Sequence, residues 1–132
     1  MPLDITLYKT ARRMQTYFTD YFRIEGISIT FTQFLVLREL WRTNPLSEKD
    51  ICHRLGLDSG TITPVIKILI REGYVEKQRG VEDERVVLIS ITEKGSALCK
   101  EIGSLSLSLL IGDKKAERLE GLLEELLMEL EK

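Results

Sequence analysis

The groups in this chain that can make directed polar contacts collect in two short stretches. The first is Asp58-Ser59-Gly60-Thr61-Ile62-Thr63-Pro64, followed by Lys67 and Arg71. The second is Arg79 and the run Gly80-Val81-Glu82-Asp83-Glu84-Arg85. Short hydroxyl side chains reach phosphates or base edges, and longer cations anchor to backbone phosphate. Both stretches therefore suit recognition of a polyanion better than bond-making. Catalysis has little to work with: one histidine (His53), no Gly-rich phosphate loop and no paired acid and base. The two cysteines, Cys52 and Cys99, lie far apart without metal-ligand spacing. The chain is accordingly read as a non-enzyme with no metal and no cofactor. The thiols read as reduced, as in a cytosolic protein. A free Cys is most often a small buried hydrophobe; a redox sensor using Cys52 or Cys99 is kept as an alternative.

The spacing of apolar residues supplies the elements that must hold these groups. Leu7, Ala11, Met14, Phe18 and Tyr21 recur at three and four, which predicts a helix over 4–24 ended by Gly26. Thr30 with Gln33 reads as a capping box opening a second helix, which carries Phe34, Leu37, Leu40 and Trp41 and stops at Asn44-Pro45. Ser47 caps a short helix through Leu55, and Gly56-Leu57-Asp58 makes a tight turn. A fourth helix then runs to about Glu72, with Ile62, Ile66 and Leu69 inward and Gly73 as its stop. Two short helices joined by a Gly-bearing turn are the layout of a helix-turn-helix. Pro64 predicts an irregular first turn of the second one, leaving backbone N–H groups for phosphate.

Residues 75–79 and 86–91, bridged by a Gly-bearing loop over 80–84, read as a β-hairpin. Thr92 caps a long helix whose Leu98, Ile102, Leu105 and Leu109 continue one stripe, and Gly112-Asp113 restarts a last helix with Leu119, Leu122, Leu126 and Leu130. The expected fold is mainly α with a small β-hairpin wing: a winged helix-turn-helix in which the second helix of the pair enters the major groove. The chain has 132 residues, 43% hydrophobic and 30% charged, which is ordinary globular composition. No apolar stretch approaches the roughly 18 residues of a membrane span, and the N-terminus lacks the layout of a signal peptide. A cytoplasmic location is expected. The net charge of −2 is unevenly spread, because residues 96–132 hold five basic and eight acidic side chains.

The run Leu57-Asp58-Ser59-Gly60-Thr61-Ile62-Thr63-Pro64, then Glu82-Asp83-Glu84-Arg85 and Leu88-Ile89-Ser90-Ile91-Thr92-Glu93-Lys94-Gly95, resembles the MarR family of transcription regulators. The nearest likeness is to the branch of organic-hydroperoxide sensors. The resemblance implies a single domain over 1–132, with a winged DNA-binding lobe at 28–95 and dimerisation helices at 1–27 and 96–132. It implies a repressor acting as a homodimer on a pseudo-palindromic duplex operator, with Arg85 in the minor groove and Asp83 shaping the wing tip. The DNA-binding set is then Ser59, Gly60, Thr61, Thr63, Lys67, Arg71, Arg79, Asp83 and Arg85. The chain departs from that branch at the sensor. Asp4 falls at the position of its reactive cysteine, and Phe18 and Phe31 fall where two tyrosines would support the thiolate.

Two further expectations follow from the apolar stripes. Leu7, Met14 and Phe18 with Leu105, Leu109, Leu119, Leu122 and Leu126 are read as a dimer interface, because one short chain would struggle to cover them all. Met14, Phe18, Phe31, Phe34 and Trp41 suit a cleft for a small apolar or aromatic ligand, or else ordinary core. A winged-helix module that binds protein and not DNA is the competing reading.

Overall fold

The computed structural model describes residues 1–80, 82–83, 85–103 and 105–132. Its elements run α1 (Leu3–Ile24), α2 (Phe31–Arg42), β1 (Leu46–Ser47), α3 (Glu48–Leu55), α4 (Ser59–Arg71), β2 (Val75–Arg79), β3 (Val87–Ile91), α5 (Glu93–Ile102), α6 (Leu107–Ile111) and α7 (Asp113–Leu130). The fold is mainly helical with one small antiparallel sheet. The chain divides into two compact units, Met1–Glu101 and Ile102–Lys132.

The first unit is built by caps and apolar faces acting together. Thr30 Oγ1 accepts from the Gln33 N–H while Gln33 Oε1 accepts from the Thr30 N–H, the reciprocal pair that satisfies two orphan donors of α2. Ser47 and Asp50 repeat the device at α3. The helices share one core: Val36, Leu37 and Leu40 from α2, Ile51 from α3, and Ile62, Ile66 and Leu69 from α4 are buried. Phe18 and Phe22 of α1 complete it through ring contacts with Phe34 at 5.2 and 5.6 Å.

The sheet has the order β1-β3-β2. The hairpin register runs from Val75 opposite Ile91 to Arg79 opposite Val87. Val75 and Ile89, on the inner side, are buried against the helices. The short strand β1 pairs Leu46 with Ile89 and makes three strands where the sequence led us to expect two. Beside it, Asn44 Oδ1 accepts from the Ile91 N–H at 2.9 Å. The expected loop over 80–84 includes Val81 and Glu84, which lie outside the described residues.

Two expectations about helices are corrected. The helix after Thr92 does not continue through Leu109: α5 ends at Ile102 and α6 begins at Leu107. Gly103 lacks the side-chain constraint that favours helix, and Ser106 caps the new helix by accepting from the Ser108 N–H. The first turn of α4 is regular despite Pro64, which sits inside the helix. Asp58 closes that turn, its Oδ1 accepting from the Thr61 N–H at 2.8 Å and its carbonyl from Ile62 at 3.1 Å. Thr61 and Ile62 therefore have no free N–H for phosphate.

In the second unit α6 and α7 pack on each other. None of the residues of α7 is buried.

The join between hairpin and α5 depends on one glycine. A Cβ on Gly95 would lie 2.4 Å from the Tyr74 carbonyl and 2.7 Å from Ile91 Cγ1. Thr92 Oγ1 accepts from the Gly95 N–H and donates toward the carbonyls of Gly73 and Tyr74, fixing the same corner. Gly95→Ala is expected to cost about 1–3 kcal/mol, the usual cost of forcing atoms into a filled site, and thermal denaturation will show it as a lowered midpoint. An unchanged midpoint would mean that the corner yields freely.

Candidate nucleic-acid interface

Helix α4 is the centre of the candidate surface. With Ile62, Ile66 and Leu69 inward, the opposite side carries Gly60, Pro64, Lys67 and Arg71 at steps of four and three. All four are exposed, as are Ser59 and Thr61 at the helix start. No acidic side chain occurs within α4. Arg71 Nε pairs with Glu72 Oε1 at 3.2 Å on the surface. Thr63 differs from its neighbours: it is half-buried, and its hydroxyl donates to Glu48 Oε1 of α3. The helix pair is tied to α2 by Arg54, whose guanidinium lies 3.3 Å from Glu39 Oε2.

Sequence reasoning missed two contributors here. Pro64, which by sequence signals only a perturbed backbone, stands on the outer face at the spacing set by Gly60 and Lys67. Glu48 carried no local signal, because it meets Thr63 only once the two helices have packed.

The wing tip holds a compact ion pair. Asp83 Oδ1 accepts from the Arg85 backbone N–H at 3.0 Å and from Nε at 3.1 Å, and Oδ2 accepts from a terminal guanidinium nitrogen at 3.2 Å. The Arg85 side chain hydrogen bonds first, and the backbone N–H second, hold the Asp83 carboxyl below the usual range. A carboxyl shifted down is fully charged above its ordinary pKa, so the clamp persists at neutral pH and is lost only as pH falls through the depressed value. The Arg85 side chain is 92% exposed. It is oriented by one edge, and its remaining donors are left toward solvent. Arg79 is exposed at the end of β2.

The residues expected to line a ligand cleft do not share one environment. Phe18, Phe31 and Phe34 form a cluster with centroids 5.2 to 6.3 Å apart. Their own rings fill the space between them. Met14 is half-buried, and Trp41 is 44% exposed near the end of α2. A cleft of about 400 Å³ lies among Ser28, Ile29, Thr30, Gln33, Ile68, Arg71 and Glu72. Of the residues expected at a dimer interface, Phe18 is buried within the protomer. Leu7, Met14, Leu105 and Leu126 are half-buried, while Leu109, Leu119 and Leu122 stand exposed. Among the described residues there is no group of three or more side chains able to hold a metal ion, and no helix long and apolar enough to cross a membrane.

A helix pair presenting a cation-bearing second helix, beside a three-stranded wing, defines a winged helix-turn-helix protein. Residues 24–102 match the family of transcriptional regulators SarA/Rot, and the chain belongs to that family. It is 40% identical over 99 residues to the organic hydroperoxide resistance transcriptional regulator of Bacillus subtilis, a match covering 75% of this chain and 65% of that protein. The chain thus spans about two thirds of that relative's length. Its fold matches reduced AbfR bound to DNA, a Staphylococcus epidermidis protein, with a TM-score of 0.75, 28% identity and coverage of 98% and 92%. It also matches Escherichia coli MarR in its apo form, with a TM-score of 0.75, 24% identity and coverage of 96% and 98%. The winged MarR-like fold expected from the sequence is therefore found.

Both thiols sit where the thiolate is disfavoured. Burial pushes Cys99 up to about 11, against a smaller opposing pull from Arg38. Burial also raises Cys52, and the carboxylates of Glu48 and Asp58 add to it. Since the thiolate is the nucleophile, we expect iodoacetamide at pH 8 to label Cys99 in the native protein far more slowly than free cysteine. A raised folded pKa stabilises below the unfolded value, so this contribution should be intact below pH 9 and lost as pH rises through about 11. Labelling as fast as free cysteine would overturn the assignment.

Proposed function

We propose that this chain is a sequence-specific duplex-DNA-binding transcription regulator: a repressor that acts as a homodimer on a pseudo-palindromic operator in the cytoplasm. The observation that carries the reading is the outer face of α4, where small residues at Gly60 and Thr61 allow close approach and Lys67 and Arg71 supply charge with no acid on the helix. Helix α4 then lies in the major groove, and Arg85 reaches the narrow, more negative minor groove. Asp83 restricts the rotamers of Arg85 beforehand and so lowers the entropy lost on binding.

Self-association draws on the exposed apolar side chains of the second unit. Leu109, Leu119 and Leu122 are 69%, 46% and 58% exposed, and a second copy is the natural cover for such a surface. Leu7 and Met14 of α1 are assigned to the same interface. Release from DNA is assigned to reversible binding of a small apolar or aromatic molecule. The support is that both thiols are held protonated and that Asp4 stands where the hydroperoxide-sensing branch has its cysteine.

The decisive experiment is selection of bound genomic fragments, followed by titrations of a selected duplex at several salt concentrations. Affinity should fall steeply with salt as phosphate contacts release counterions. Lys67→Ala should weaken all sequences alike and reduce the salt slope by about 0.9, as for one phosphate contact. Arg85→Ala should also weaken binding while leaving the thermal midpoint nearly unchanged, as befits an exposed tip. Salt-independent, sequence-independent behaviour would instead favour a protein-binding winged-helix module. Sedimentation should give a dimer at micromolar concentration; a stable folded monomer there would remove the interface.

A further inference from the structure

Glu48 is the first residue of α3, where the helix dipole favours a carboxylate. It takes no part in the cap: Ser47 and Asp50 complete the capping box without it. Its carboxylate reaches across the helix pair to Thr63, the fifth residue of α4, and accepts the hydroxyl proton. A threonine inside a helix commonly donates back to the carbonyl four residues earlier; Thr63 donates to another helix instead. Both side chains are half-buried, at the margin of the outer face that carries Gly60, Pro64 and Lys67.

We propose that Glu48 is a specificity-determining residue, which fixes the base preference of α4 by consuming the only proton of the Thr63 hydroxyl. A hydroxyl has one donor and two lone pairs, and a carboxylate accepts only. With that proton committed, the pair presents acceptors alone. In the major groove the exocyclic amino groups of cytosine N4 and adenine N6 are donors, while guanine O6 and N7 and thymine O4 are acceptors. The base edge facing Thr63 is therefore cytosine or adenine, and because every base pair joins one of these to guanine or thymine, the Glu48–Thr63 pair fixes orientation: C·G or A·T over the reversed G·C or T·A. Neither group can donate to phosphate, and the carboxylate is repelled by the backbone, so the pair gives up affinity to gain discrimination. The inference rests on the DNA-binding reading and extends it to the residue that does not touch the groove through a cation.

The test is selection from randomised duplexes with the full chain, comparing wild type, Glu48→Gln, Thr63→Val and Thr63→Ser, with thermal melts confirming that each folds. Wild type should prefer one orientation of a base pair in each half-site, C·G or A·T on a given strand over its reversal, about ten-fold. Glu48→Gln can donate as well as accept; it should flatten that preference to under about two-fold and bind arbitrary duplex several-fold more tightly. Thr63→Val should lose the preference and Thr63→Ser should keep it. A wild type that selects an operator identical at every position to those of Glu48→Gln and Thr63→Val overturns the inference and leaves the DNA reading standing. So does a wild type that accepts both orientations of that base pair equally. A wild type that selects nothing, with salt-independent binding, overturns both.

Discussion

The arrangement of the candidate interface depends on the turn between α3 and α4. Gly56 adopts φ +66°, a left-handed conformation that costs a side-chain-bearing residue far more. This lets the Leu57 N–H return to the Cys52 carbonyl at 3.0 Å and end α3. Two residues later, the Asp58 side chain and carbonyl accept from the Thr61 and Ile62 N–H groups in the first turn of α4. Loss of such a cap costs about 0.5–2 kcal/mol, a sizeable share of the stability of a small domain. The geometric consequence matters more. With both ends of the turn fixed, Ile51, Ile62 and Ile66 enter one core, and the direction of the outer face of α4 is set without help from any ligand.

How much of this could be read in advance follows from the range over which each signal acts. The capping pair Thr30–Gln33, the cap at Ser47, the stops at Gly26, Gly56 and Gly73, and the hairpin strands are all encoded within a few residues, and they stand where the sequence puts them. The strand β1 is different. Leu46-Ser47 is too short to carry a period, and it exists because β3 offers it a partner. Glu48 and Thr63 likewise become neighbours only through packing. Apolar periodicity also overreaches. It carried one stripe across Gly103 and Ser106, where the helix breaks, and it marked Phe18 as available to a partner although Phe31 and Phe34 already surround it. A stripe records that a face must be covered and does not record by what.

The polar groups of the candidate interface obey a different economy from those of the core. Gln33, the buried polar side chain among the described residues, carries a structural hydrogen bond to the Thr30 N–H. The cations of the candidate interface are exposed, and among them Arg71 holds Glu72 and Arg85 holds Asp83. Exposed pairs of this kind contribute little to folding stability, because water screens the attraction. Their value lies in orientation. A guanidinium held along one edge meets a phosphate or a groove floor with its remaining donors already directed.

The same reasoning separates this chain's thiols from those of a peroxide-responsive centre. Oxidation by a peroxide begins at a thiolate, which needs a cation, a helix N-terminus or hydrogen-bond donors to stabilise its charge. Cys99 lies in an apolar setting where the distant attraction of Arg38 fails to offset burial. Burial raises the Cys52 pKa first, and the charges of Glu48 and Asp58 add to it. Those two carboxylates have other duties, one capping α4 and the other binding Thr63. The carboxylates that organise the α3–α4 pair therefore add to the suppression of the neighbouring thiol. Lowering the Cys52 pKa by removing either acid would disturb the surface through which we propose that the chain reads DNA. A sensor thiol at this position would be in conflict with recognition by the same helix pair, which favours an inducer that binds without reacting.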